Sequence, residues 1–164
     1  MIERSFAGIL RRFGGAGIEF LVVGDLAIAL HGAPPQTLAV ELVHSRDAAN
    51  VARLVPVLSD LDAIFRIQPE RRLKPAASHL ASSGHLNLIT RHGPLDLLGT
   101  IGQGLSYEDL LPHTVDTQIA EGMSIKVLDL PTLIALKEEL SDEKDRAMLP
   151  ILRRTLEESR RDRR

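Results

Sequence analysis

The sequence predicts a mixed α/β fold, with one central sheet flanked by helices and a helical segment at the C-terminal end. Three observations lead there. From residue 3 to residue 67, short apolar runs bounded by turn residues alternate with amphipathic stretches. In the second half, two pairs of apolar runs are separated by only a few turn residues, too close for the crossover helices that parallel neighbours need. The last stretch carries leucines and isoleucines at helical spacing. The order is α-β-α-β-α-β, then hairpins, then helices, which argues against a doubly wound parallel sheet.

The elements follow in turn. Residues 3–13 place Phe6, Ile9, Leu10 and Phe13 on one helical face, and the glycines at 14, 15 and 17 end it. Phe20 to Val23 is a short bounded apolar run, hence a buried strand. Gly24 makes a turn, and Asp25 is placed to N-cap a helix from Leu26 to Leu30 that closes at His31-Gly32. Pro34-Pro35 forces extended backbone before a second strand, Leu38 to Val43. A helix from Asp47 carries Val51, Leu54, Val55 and Leu58, with Pro56 expected to kink or shorten it. Ala63 to Ile67 reads as a third strand and the polar, Pro-containing residues 68–83 as a loop.

Leu86 to Thr90 and Leu95 to Leu98 form a hairpin around Arg91-His92-Gly93-Pro94. A short capped helix begins at Ser106 and ends near Pro112. Val115 to Ile119 and Ser124 to Leu128 pair around Glu121-Gly122. Pro131 suits the start of a helix through Leu133, Ile134, Leu136 and Leu140, and a last helix covers 143–158 with Pro150 as an irregularity. The reading divides the chain into an α/β domain (1–130), helices packed on it (131–158) and a frayed basic tail (159–164).

Composition narrows the chemistry. Hydrophobic residues make up 44% of 164, but only four Phe and one Tyr are aromatic, so the core is aliphatic. With no cysteine, disulfides, thiolate metal sites and cysteine nucleophiles are excluded, and a reducing cytoplasm is the expected setting. The charged start MIERSFAGILRRF lacks the apolar core of a secretory signal. No apolar run reaches the ~18 residues of a membrane span. A net charge of −2 gives no global attraction to nucleic acid. The six histidines show no metal-ligand spacing such as H-E-x-x-H, although His85 and His92 flank the hairpin and could meet. Arg71, Arg72 and Lys74 are best read as a solvated loop.

The segment FLVVGDLAIALHG-APPQTLAVELV resembles the opening of nucleotidyltransferase-superfamily domains, nearest to the minimal and abortive-infection toxin types. In that pattern a strand enters a small-residue turn at a helix start, a second strand carries Asp-x-Asp, and a later strand adds a third Asp. Ser106 to Leu110, Ile125 to Leu130 and Leu133 to Lys137, with Lys144-Asp145, resemble the C-terminal half of the same proteins. The likeness spans roughly residues 18–155 and implies a nucleotidyltransferase-like fold.

Its chemistry needs two divalent cations about 3.5–4 Å apart, which clamp the attacking and leaving oxygens. Carboxylates at i and i+2 of a strand share a side and can hold such ions, Mg²⁺ above all. The helix start offers free N–H groups to a triphosphate. On this map Gly24, Asp25 and Thr37 fall at nucleotide-binding positions, while Glu41 and Asp96 are the candidate catalytic and metal-holding residues. Ala39 stands where the first metal carboxylate belongs, and the arginine of the pattern is missing near Pro35-Gln36.

Three departures accumulate at one site. Ala39 cannot bind metal. Glu41 is longer than Asp by a methylene, which moves its oxygens about 1–1.5 Å, and misplacement on that scale can cost about a hundredfold in rate. Asp25 puts negative charge where triphosphate approaches. The resemblance therefore implies an impaired enzyme serving as a binding or regulatory module, without cofactor. The alternatives are an active, divergent Mg²⁺-dependent enzyme transferring NMP from an NTP to a hydroxyl, and a protein partner in a toxin–antitoxin-like pair. Structural readings stay open too: Glu41 as a solvated strand residue, Asp96 paired to Arg91, Asp25 as a plain helix cap.

Overall fold

The computed structural model describes residues 6–33, 39–139 and 143–162. Helix α1 (Phe6–Gly15) buries Ile9, Leu10 and Phe13. It continues through Gly14 and Gly15 and is stopped by Gly17, whose φ of +70° turns the chain back. There Ile18 N–H donates to Phe13 O and Gly17 N–H to Gly14 O, a paired closure of the last turn. The Phe13 ring meets Phe20 edge-on at 5.5 Å, which fixes α1 against strand β1 (Phe20–Val22).

Helix α2 (Gly24–Leu30) departs from expectation at its start. The residue before it, Val23, is extended and provides no side-chain cap, and Asp25 lies inside the first turn. The Asp25 side chain is thus not the cap that the sequence suggested. His31 ends α2 and its Nε2 bonds Leu128 O at 2.8 Å.

Strand β2 (Val40–His44) leads to helix α3 (Ala48–Asp60), which runs past Pro56 rather than stopping there. Proline removes one N–H, but buried Val57 and Leu58 hold the following turn against the core. Asn50 is fully buried in α3 and satisfied: its Oδ1 accepts Glu19 N–H, and its Nδ2 donates to Glu19 O and Ser45 O.

Strand β3 is only Ile64–Phe65, shorter than expected. Arg66 N–H adds one more ladder bond to Asn87 O, after which Ile67 turns into solvent. The 68–83 segment contains a 3₁₀ turn at Pro69–Arg71 and a short helix α4 (Ala77–Leu80), whose Leu80 is fully buried. The hairpin β4 (His85–Thr90) and β5 (Gly93–Leu98) forms as read. Pro94 sits in β5 ahead of the residues that pair with β2, so its missing N–H breaks no bond on that side.

Helix α5 (Tyr107–Leu110) starts from Ser106, whose Oγ accepts Asp109 N–H while Asp109 accepts Ser106 N–H. Strands β6 (Thr114–Ala120) and β7 (Met123–Leu128) pair antiparallel. Asp129 caps α6 (Leu130–Glu139) by accepting Thr132 N–H at 2.9 Å. Helix α7 (Glu143–Asp162) includes Pro150 and continues through Arg160 and Arg161. Those cations stand in its last turn, where the carbonyl end of the helix favours positive charge, and not in a frayed tail.

The seven strands make one mixed sheet in the order β3-β4-β5-β2-β1-β7-β6. β2–β5 and β1–β7 are parallel; the remaining pairs are antiparallel. One side of the central strands is apolar and buried, with Val40, Leu42, Leu95, Leu97, Leu86 and Leu88. On the other side the register forms a polar row: Arg66 opposite Asn87, Asn87 opposite Asp96, Asp96 opposite Glu41. No helix among the described residues is long and apolar enough to cross a membrane.

Candidate functional site

The polar row ends at a cleft between the β1–α2 turn and α6. Its volume is about 370 Å³, and Gly24, Asp25, Glu41 and Lys137 line it together with Leu98, Ile101, Leu133 and Leu136. Small-molecule sites commonly measure roughly 300–1,000 Å³, with apolar walls and a few polar groups.

Gly24 is glycine for two separate reasons. Its φ of +66° is a conformation that a side chain disfavours. A Cβ there would also stand 2.3 Å from Glu41 Oε1, so the Glu41 carboxylate fills the space beside the turn. The backbone N–H of Asp25 lies on the side of this carboxylate and favours its charged form.

Electrostatics follow from that placement. The Glu41 carboxyl is pushed above its ordinary range, first by burial and then by the negative charges of Asp25 and Asp96. The Asp25 N–H and the Lys137 charge act in the opposite direction and do not outweigh it. Lys137, from α6, stands 3.7 Å from Asp25. Asp96 is partnered by Arg66, with Nη2 2.5 Å from Oδ1. Arg91, by contrast, pairs with Asp62 at 3.2 Å. It sits at the hairpin tip, several residues along β5 from Asp96, so the Asp96–Arg91 pairing read from sequence is corrected to Asp96–Arg66.

The structure brings Gly24, Asp25 and Glu41 to the cleft and sets Asp96 beside Glu41 through the β2–β5 register. Ala39 immediately precedes β2, two positions from Glu41, the spacing that puts side chains on one side of a strand. Thr37 lies outside the described residues. Arg66 and Lys137 were missed as site residues. Arg66 carried one signal: it is the basic residue in an otherwise apolar strand-like run, Ala63 to Ile67. His85 and His92 do not meet. His85 pairs in register with Leu98 and bonds Thr100 O, while His92 packs against Gly8 beyond the opposite end of the hairpin.

A two-metal arrangement does not fit these groups. Position 39 offers no side-chain oxygen, Asp96 is held by a guanidinium, and the Glu41 carboxylate is packed against the Gly24 turn. Among the described residues no group of three His, Asp or Glu is placed to hold one ion.

No protein-family model matches the sequence, and no curated protein matches it. A solved structure does: TM1012 of Thermotoga maritima, described as a "putative nucleotidyltransferase", aligns with a TM-score of 0.56 over 96% of each chain at 18% identity. This chain has the nucleotidyltransferase fold, a mixed sheet flanked by helices. At that identity the likeness concerns the fold.

Proposed function

We propose that this chain keeps the nucleotidyltransferase fold as a binding or regulatory module and has lost two-metal nucleotidyl transfer. The supporting observation is that Arg66 already holds Asp96, while the Glu41 carboxylate is packed into the space beside the Gly24 turn. Asp25 adds a second objection to a triphosphate, since its charge lies in the first turn of α2, beside Glu41. The cleft remains as a site for a small ligand. A protein partner of the toxin–antitoxin-like kind is compatible with such a module, and co-purification with the product of a neighbouring gene would support it.

The opposing reading is a divergent enzyme in which Glu41 and Asp96 hold Mg²⁺, and their direct register pairing is what favours it. The test is a thermal-shift panel of the four NTPs with and without Mg²⁺, run beside a labelled NMP-transfer assay. Binding stabilises by RT ln(1 + [L]/Kd), so even weak ligands register at millimolar concentration. The module reading expects no Mg²⁺-dependent transfer. Transfer that is lost in both Glu41→Ala and Asp96→Ala overturns it.

A further inference from the structure

We infer that Arg66 is the resident cation of this site: its guanidinium takes the place beside Asp96 that a metal ion would need, and thereby keeps divalent cations off the Glu41–Asp96 pair. The inference rests on the reading of these two residues as the remnant of a nucleotidyltransferase carboxylate set.

The geometry begins with the backbone. β3 ends at Phe65, and Arg66 N–H is fixed by Asn87 O at 2.9 Å. On its outer edge Phe65 N–H donates to Leu73 O at 2.8 Å, which closes the 66–72 loop against the strand. Both bonds anchor the root of the arginine. Its side chain then crosses β4, where Nη1 donates to Leu88 O at 3.3 Å, and reaches β5, where Nη2 bonds Asp96 Oδ1. Two donors on different acceptors fix the direction of the fork, as a single contact could not. The contact is sheltered, since the Asp96 side chain is 17% exposed and that of Arg66 35%.

Charge makes the substitution permanent. A guanidinium is a permanent cation in proteins and has no lone pair to offer a metal. A divalent cation entering the pair would meet a fixed positive charge on Asp96. It would find two carboxylates where the two-metal pattern has three, because position 39 is alanine. Lys137 is placed comparably against Asp25 on the other flank of Glu41. The cations of the site thus come from the chain itself.

Mn²⁺ titration followed by electron paramagnetic resonance tests this, with melting curves recorded for each protein. The variants are Arg66→Gln, Arg66→Ala, Arg66→Lys and the double change Arg66→Gln with Asp96→Asn. Wild type and Arg66→Lys should leave Mn²⁺ free, because both keep the positive charge. Arg66→Gln and Arg66→Ala should bind Mn²⁺ about tenfold more tightly or better, and Asp96→Asn should abolish that gain. Wild type binding as tightly as Arg66→Gln overturns the inference. So does a folded Arg66→Gln that gains nothing, an Arg66→Lys that gains as much as Arg66→Gln, or a gain that survives Asp96→Asn. An inert wild type with no gain in Arg66→Gln removes only this inference. Mg²⁺-dependent transfer by the wild type removes the reading of the site beneath it.

Discussion

Glu41 and Asp96 are register partners across the parallel β2–β5 ladder, and they project from the same side of the sheet. Neighbouring strands lie about 4.8 Å apart, so two ionised carboxylates in this relation repel unless something intervenes. A metal ion is one solution. The solution here is divided: Arg66 pairs with Asp96, while burial and the nearby charges favour protonated Glu41.

The first prediction concerns pH. Because the folded-state pKa of Glu41 is raised above its ordinary 4.5, the folded chain binds the proton more readily than the unfolded one. Stability from this group is full below the unfolded pKa and is lost as pH rises through the folded value. Glu41→Gln keeps the shape without the charge. It should raise Tm at pH 7–8 and change it little near pH 4. A Tm difference that is flat with pH removes this account of Glu41.

His44 should give the opposite slope. It is 1% exposed, its Nε2 bonds Leu80 O at 2.8 Å, and its Nδ1 has no partner. That geometry suits the neutral ring with the proton on Nε2. Burial, the larger effect, together with the Arg46 charge lowers its pKa below 6.5 against the hydrogen bond to Leu80. The folded chain therefore binds this proton less readily than the unfolded one, and stability falls as pH drops from 6.5 toward the folded value. His44→Gln can still donate to Leu80 O, so the variant should flatten urea-midpoint profiles between pH 7.5 and 5.5. An unchanged slope would place the acid sensitivity elsewhere.

Gly24→Ala should destabilise through two causes that can be separated. The left-handed backbone alone costs about 1–2 kcal/mol for a residue with a side chain, and the contact with Glu41 Oε1 at 2.3 Å adds to it. Glu41→Ala removes only the second cause. In a double-mutant cycle by urea denaturation, the cost of Gly24→Ala should be smaller in the Glu41→Ala background than in wild type. Additive changes would show that the carboxylate does not press on the turn.

Much of the fold was readable because periodicity and turn residues agree over most of the chain. The α1 stripe, the 85–98 hairpin and the Ser106 cap all follow local rules. What escaped depends on distant partners. Asp25 looked like a cap because its type suits one, but the extended Val23 takes that position and Lys137 claims the side chain. Arg66 reaches Asp96 across two strand boundaries, a relation that only the register creates. Residues 68–83 looked like an unanchored polar loop, yet Leu80 is fully buried and its carbonyl holds His44. Leu80→Ala should accordingly cost about 2–5 kcal/mol, measured by urea unfolding; a cost near zero would return the segment to a surface loop.

The last prediction rebuilds what position 39 lacks. Ala39→Asp places a carboxylate two residues before Glu41, at the spacing that shares a strand face. In the wild-type background Arg66 still holds Asp96, so the new charge should lower Tm and Mg²⁺ should recover little of the loss. Combined with Arg66→Gln, three carboxylates face one space without a competing cation. Mg²⁺ should then raise stability as the logarithm of its concentration, reaching about 2.7 kcal/mol when it exceeds Kd by about a hundredfold. The comparison separates two causes of lost metal binding, a missing ligand and a resident guanidinium. If Ala39→Asp alone gains full Mg²⁺ stabilisation, the ligand is the sole cause and Arg66 yields freely. If only the combined variant gains it, the guanidinium keeps the cation out even when the third ligand is present.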